Sequence, residues 1–424
     1  MLLNDEQQAI YDGAKGESLA KVMKTLVMYG DTFGATKMVP VESEYGHLVT
    51  SFGLSVIKPV YALMDKLLAA GAVSKQKFTV DPLPLDKNVP TNFLQDIMFK
   101  IMYGKQDFYN GQLQKLGILD EKSYTCTCYM EESGNAPKEG QVLSWAESSA
   151  VVYANSVLGA RCNRNSGIIE LFGSIVGFVP YFGLLTDEGR KAKWIIEVET
   201  TKKPEAQVLG SAIGMKVMED VPYIKGLSKW IGTELNQASK DYLKDMGAAT
   251  ASNGAVGLYH VDGLTPEAVK LGEKLINSNA KVYKIDDAEL DRVKNGYPII
   301  WKDKDAKPKL AFIGCPHLSV DQLNDWTDKI VSRLAKNGKE KVAVSLVLTA
   351  APKVLDKFKG SDNAKKLEKA GVVISYICPL MYMNNPLCGK MPVITNSNKL
   401  RTYTSAKYMT DEEILSAVAG EALA

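Results

Sequence analysis

A chain of 424 residues with 46% hydrophobic content can bury a large core and divides into more than one lobe, because single cores stop growing near roughly 250–300 residues. Lys and Arg total 51 against 49 for Asp and Glu, a formal net charge of +2, and that balance leaves no electrostatic footprint for nucleic acid. Six cysteines are too sparse for a disulfide scaffold, the start of the chain lacks the basic-then-apolar order of a secretory leader, and no apolar run approaches the ~18 residues of a membrane span. The expectation is a cytoplasmic protein with reduced thiols and no membrane partner.

The first segment reads as helical from an Asn4 cap, with Leu19, Val22, Met23, Leu26 and Val27 on one face, and ends near Gly30. Residues 56–70 carry a second helical pattern and lead into a short strand over 77–80 that Asp81-Pro82 breaks. With a further helix over 98–114, a mainly helical region spans 1–120. A central α/β region, 121–300, holds Cys126 and the stretch 145–164, which is dense in Ala, Ser and Gly. Small residues there suit close helix packing, while Arg161 and Arg164 beside it are forked cations suited to carboxylate or phosphate.

From 301 to 424 the pattern alternates: strands over 310–313, 342–348, 372–377 and 391–394, with helices over 319–336 and 364–369. This order implies a parallel sheet with helices on both faces. Ligands in such sheets bind outside the carboxyl ends of the strands. Those ends carry Cys315, residues 350–351, Cys378 and residues 395–397, so Cys315 and Cys378 are expected on one edge.

Cys126 stands in Tyr124-Thr125-Cys126-Thr127-Cys128, Cys315 in Gly314-Cys315-Pro316-His317, and Cys378 before Pro379. Three thiolates suit an iron-sulfur cluster that leaves one iron without a protein ligand, free to act as a Lewis acid on a substrate oxygen. Dehydration of a hydroxy acid then calls for a base, cations for the carboxylate and a dry pocket. With only three histidines, a histidine-rich zinc site is disfavoured. No Cys-x-x-Cys pair is present, and on the residues alone, buried free thiols and a zinc site of Cys126, Cys128 and His317 stay open beside the cluster.

Together these motifs resemble the large, catalytic subunit of the aconitase X family over nearly the whole chain. The resemblance rests on Tyr124-Thr125-Cys126-Thr127, on Trp145-Ala146-Glu147-Ser148-Ser149-Ala150-Val151, on Ala154-Asn155-Ser156-Val157-Leu158-Gly159-Ala160-Arg161 with Asn163-Arg164, on Gly314-Cys315-Pro316-His317, and on Thr395-Asn396-Ser397 with Lys399. It implies an α/β fold: an aconitase-like multi-lobe arrangement of doubly wound parallel sheets with flanking helices, lacking the swivel domain. It also implies a hydro-lyase whose cluster (4Fe-4S, with 3Fe-4S or 2Fe-2S as isolated forms) is held by Cys126, Cys315 and Cys378, with Cys128, Cys162 and Cys388 as non-ligands. A small swivel-domain subunit is expected to carry the base serine.

By the same carry-over, Ser148, Ser149, the loop Leu48-Val49-Thr50, the turn Asp81-Pro82 and Lys399 touch substrate, and chemistry alone adds Arg161 and Arg164. The family's two known substrates are cis-3-hydroxy-L-proline and mevalonate 5-phosphate. This chain departs from the family pattern at Leu48-Val49-Thr50 after His47, at Asp81 where archaeal members tend to have Asn, and at Cys128 in place of a proline. Asp81 suits a ring ammonium, which favours the hydroxyproline; an uncharacterised hydroxy acid and a non-catalytic small-acid binding or scaffold role are the alternatives.

Overall fold

Asn4 opens the first helix with a capping box: its side chain accepts from the Gln7 N–H at 2.9 Å, and Gln7 Oε1 accepts from the Asn4 N–H at 3.0 Å. The computed structural model describes residues 1–49 and 53–421, so Thr50 lies outside the described residues. The expected first helix is two, Asp5–Tyr11 and Glu17–Thr32, because Gly13 and Gly16 take positive φ between them. The expected helix over 98–114 is likewise two, Phe93–Met102 and Gln106–Leu116, the first set earlier by a capping box at Asn92. No helix among the described residues is long and apolar enough to cross a membrane.

In chain order the strands are β1 (Met38–Pro40), β2 (Gly46–Leu48), β3 (Phe78–Val80) and β4 (Phe178–Pro180), then β5 (Ala192–Val198), β6 (Pro222–Lys225), β7 (His260–Val261) and β8 (Ile276–Ile285), and finally β9 (Leu310–Leu318), β10 (Ser345–Ala350), β11 (Val373–Ser375), β12 (Val393–Thr395) and β13 (Lys407–Tyr408). In the first lobe β2 and β3 run parallel, and single parallel bridges extend this ladder on both sides, His47 to Trp145 and Val80 to Tyr124. The second sheet has the order β7-β6-β5-β8 and the third β11-β10-β9-β12-β13, with every pair parallel. In both sheets the strand order reverses beside the first strand, β5 or β9. That reversal is the switch point at which open α/β sheets take ligands.

All of β9 is buried, as a central strand covered on both faces must be. The helix Val320–Lys336 packs against this sheet from a capping box at Ser319. Helices Ala206–Val217 and Gln237–Asn253 approach so closely that a Cβ on Gly210 would overlap the Met246 carbonyl. One apolar core joins the second and third lobes and another fills the first. A third, smaller core packs Phe99 and Tyr103 from the first lobe against Phe312, Cys315, Cys378 and Tyr382. The α/β class with parallel sheets and flanking helices is therefore the observed architecture.

Glu170 is buried in the first lobe; its Oε1 accepts the Val49 N–H at 3.0 Å and its Oε2 has no hydrogen-bond partner. Burial pushes its pKa up to about 8. An unfolded glutamate titrates near 4.3, so between that value and about 8 the folded chain keeps a proton the unfolded chain has lost, and stability falls as pH rises through this window. Glu170→Gln cannot ionise. Relative to the unaltered chain it is expected to gain about 1.4 kcal/mol per pH unit across the window, measured by urea unfolding at pH 5.5 and 8; parallel curves would refute the buried, protonated carboxyl.

Candidate active site

The parallel segments of the first lobe end together, and each delivers a side chain just past its last bridge. Val49 follows Leu48, Asp81 follows Val80, and Cys126 and Glu147 lie two residues beyond Tyr124 and Trp145. The third sheet presents Cys315 in β9 and, just beyond β12, Ser397 and Lys399. Cys126, Cys315 and Cys378 line one cavity of about 50 Å³. Asp81, Glu147 and Lys399 form its polar wall, with Pro82 beside Asp81.

Cys315 does not follow the strand but sits inside it. The β9–β10 register runs from Leu310↔Ser345 to Ile313↔Leu348 and resumes at Leu318↔Ala350, so residues 314–317 bulge out of the ladder. Gly314 permits this with a φ of +107°, and a Cβ there would collide with the Thr349 carbonyl. The Cys315–Pro316 bond is cis. Ser397 Oγ donates to the Cys315 carbonyl, tying the bulge to the end of β12. Cys378 also differs from expectation: β11 stops at Ser375, and Cys378 is the N-cap of the helix Pro379–Met383.

His317 binds the three cysteine loops to one another. Its Nδ1 lies 3.2 Å from Thr125 Oγ1, its Nε2 3.1 Å from the Ile377 carbonyl, and its own N–H donates to Cys126 Sγ at 3.4 Å. A carbonyl can only accept, so Nε2 carries the proton and Nδ1 accepts from Thr125. Burial keeps this imidazole neutral, with a pKa pushed down to about 4. Burial likewise raises the thiol pKa of Cys126, Cys315 and Cys378, the last to about 12.

Lys399 and Glu147 form a buried ion pair across the cavity. Glu147 Oε2 also accepts from Ser149 Oγ and from the Ala150 N–H, both at 2.6 Å, which caps the helix Ser148–Ser156. Burial disfavours the Glu147 charge, but Lys399 and these donors outweigh it and hold its pKa down at about 2. Asp81 is pushed the other way, its pKa raised chiefly by burial. Its Oδ1 lies 3.7 Å from His47 Nε2, and both atoms lack a hydrogen-bond partner. His47 is fixed from behind by Thr79 Oγ1 at 2.9 Å from its Nδ1, and Asn135 Nδ2 donates to that same hydroxyl at 2.9 Å.

Other residues singled out by sequence lie around this centre rather than in it. Leu48 is fully buried and its carbonyl accepts the Asp81 N–H at 3.1 Å; Ser148 is half-buried at the helix start. Arg161 is bound by Asp187 at 2.5 Å and the Leu185 carbonyl at 2.8 Å. Arg164 makes no hydrogen bond or ion pair among the described residues, and its electrostatic neighbours are Tyr403 and Glu147. Asn155 is structural: its amide donates to the carbonyls of Cys162 and Gly257, both at 2.8 Å.

The zinc alternative fails. No group of three His, Cys, Asp or Glu side chains among the described residues is gathered tightly enough for a single ion. Cys128 lies against His47, and both ring nitrogens of His317 are engaged. A cluster takes each thiolate on a different iron and so spreads its ligands wider than one ion does, which the three thiols about a common cavity fit. Glu147 was missed because a glutamate ahead of a small-residue helix reads as a solvated cap; its partner lies 252 residues away.

Removing one member of a buried pair strands the other charge, at a cost of about 3–5 kcal/mol. Glu147→Gln is expected to destabilise the chain on that scale, and Glu147→Gln with Lys399→Met by clearly less than the sum of the single changes. Urea unfolding of the four forms measures this; additive losses would show that the pair does not couple the lobes.

Three consecutive family descriptions match this chain: Aconitase X first domain over residues 1–188, second domain over 192–295 and third domain over 308–417. The phosphomevalonate dehydratase large subunit of Thermococcus kodakarensis is 32% identical over 361 residues, covering 83% of this chain and 81% of that protein. The cis-3-hydroxy-L-proline dehydratase of Hypocrea jecorina is 28% identical over 420 residues, covering 96% of this chain but 64% of that protein. The crystal structure of Thermococcus kodakaraensis aconitase X in its holo form superimposes with a TM-score of 0.79 at 29% identity, over 98% of this chain and 99% of that one. The chain belongs to the aconitase X family and is a hydro-lyase of its dehydratase type.

Proposed function

We propose that this chain is the large subunit of a dehydratase acting on a small hydroxy acid, with cis-3-hydroxy-L-proline as the substrate that the site fits best. The observation that carries the reading is the convergence of Cys126, Cys315 and Cys378 with Asp81, Glu147 and Lys399 on one small, buried cavity. An iron-sulfur cluster held by these three thiolates, a 4Fe-4S cubane or a 3Fe-4S or 2Fe-2S form, supplies a Lewis-acidic iron that favours loss of hydroxide. A small swivel-domain subunit completes the site and brings the base serine.

The chain's own residues bind and orient the acid. Of the three Lys399 N–H donors, two face Glu147 and Ser149, and the third is left to a substrate carboxylate. Glu147 neutralises the lysine, so the pair presents a donor without a net charge and a carboxylate is held chiefly by direction and dryness. Arg164, which makes no hydrogen bond or ion pair among the described residues and has Glu147 as an electrostatic neighbour, supplies the full positive charge. Pro82 lines the same cavity, and Val49, with its N–H fixed by Glu170, and Ser148 contact the substrate from beside it.

Asp81 is what favours the hydroxyproline reading. Its buried oxygen without a partner is satisfied by the ring ammonium of a hydroxyproline, whereas against a phosphate the same carboxylate repels. The second reading, mevalonate 5-phosphate, is favoured by the higher identity to the phosphomevalonate enzyme, 32% against 28%. An anaerobic assay of the chain with its small subunit, on both substrates, separates the readings. Turnover of cis-3-hydroxy-L-proline is expected, with Asp81→Asn lowering kcat/KM about tenfold to a hundredfold through loss of one charge-assisted contact. Turnover of mevalonate 5-phosphate alone would replace the first reading by the second.

A further inference from the structure

The helix Phe93–Met102 buries one side and leaves the other bare. Gln95 and Phe99 are 3% and 4% exposed, while Phe93, Leu94, Ile97 and Ile101 are 76%, 63%, 39% and 61% exposed. No other helix among the described residues exposes more than two large apolar side chains. The face continues beyond the helix. The Ser55 N–H donates to the Met102 carbonyl at 2.7 Å, which brings Val56, 82% exposed, beside the helix end. Single exposed apolar residues are ordinary, but a contiguous set on one helix marks a surface that another body covers.

The buried side of this helix is clamped to the loop that forms one wall of the thiol cavity. The Cys378 N–H donates to the Leu83 carbonyl at 2.9 Å, Tyr103 Oη to the Met381 carbonyl at 2.9 Å, and Tyr382 Oη to the Pro90 carbonyl at 2.6 Å. The Phe99 ring packs 5.5 Å from that of Tyr382. A groove of about 740 Å³ runs between residues 84–100 and the side chains of Tyr376, Ile377 and Tyr382. A partner seated on the bare face therefore lies on the outer side of the helix whose inner side packs on the segment that carries Cys378.

We infer that the face formed by Phe93, Leu94, Ile97 and Ile101 is the docking surface for the small companion subunit. The inference rests on the proposed two-chain enzyme and adds where the second chain sits. The occupant is argued from length: the Hypocrea jecorina dehydratase matches 96% of this chain with 64% of its own, so that enzyme carries a further segment of about a third of its length in the same polypeptide. In a two-chain enzyme the equivalent body has to be recruited by a surface. An apolar patch flanked by the polar Asp96 and Lys100 has the apolar centre and polar rim of such interfaces.

The probe is the small chain from the same genome that matches the part of the Hypocrea jecorina enzyme beyond the shared region. Titrating it calorimetrically into the full large chain is expected to give a one-to-one complex, and Ile97→Glu with Ile101→Glu is expected to weaken binding at least about hundredfold. Met28→Glu, at an exposed apolar residue of another helix, is expected to bind like the unaltered chain. In the unaltered complex, hydrogen exchange at the amides of residues 93–102 is expected to slow, a readout that no variant's folding can confuse. Binding of the double variant at full strength with unchanged exchange would overturn the surface assignment alone. No complex with the unaltered chain would overturn the two-chain reading together with it.

Discussion

A buried ion pair, Glu147 with Lys399, joins the two sheet edges that make the site. Glu147 belongs to the first lobe and Lys399 to the third, with side chains only 3% and 11% exposed. In such a place an unpaired charge is far more costly than a paired one, so the pair favours the closed approach of the lobes over any arrangement that parts them. The Ser149 hydroxyl and the Ala150 N–H satisfy the rest of the carboxylate. The same contacts cap the helix Ser148–Ser156, so one carboxylate serves both the helix and the joint between the lobes.

Around this pair the cysteine loops are ordered by backbone and by one neutral imidazole. Gly314 opens the bulge, Ser397 anchors it, and His317 reaches to the residues preceding Cys126 and Cys378. A histidine with both nitrogens occupied is a strut, not a ligand, and its low pKa follows from its burial. Such a frame holds three thiols about one cavity, the arrangement on which the proposed cluster depends. The polar wall is asymmetric: Asp81, backed by His47 and Thr79, presents a carboxyl oxygen on one side, and Lys399 offers a directed donor on the other. The hydroxyproline proposal rests on that polarity.

The alternating pattern of the last third was legible because its main strands are apolar runs and its longest helix opens on a side-chain cap at Ser319. Cys315 and Cys378 were expected at strand ends; they line one cavity, but from a bulge inside β9 and from a helix N-cap. The first lobe hid its architecture. Its ladder is held partly by single bridges between residues nearly a hundred positions apart, His47 with Trp145, and no local pattern announces them. Glycines divided the first helix, and Asn92 moved the start of another, for reasons only capping geometry shows. Glu147 escaped notice since burial of a carboxylate depends on a partner far along the chain, whereas Lys399 entered through the family resemblance. Arg161 and Arg164 looked alike in sequence, and only the neighbourhood of Asp187 tells them apart.

The central claim, that widely separated thiols converge to hold inorganic iron, is tested most directly by anaerobic iron and acid-labile sulfide analysis of the chain beside its Cys126→Ser, Cys315→Ser and Cys378→Ser forms, with Cys162→Ser and Cys388→Ser as controls. The account predicts stoichiometric iron and sulfide in the unaltered chain and in both controls, and a collapse of both in each of the three variants. Iron and sulfide that survive any one of those three changes undiminished, or that never load into the unaltered chain, would contradict it.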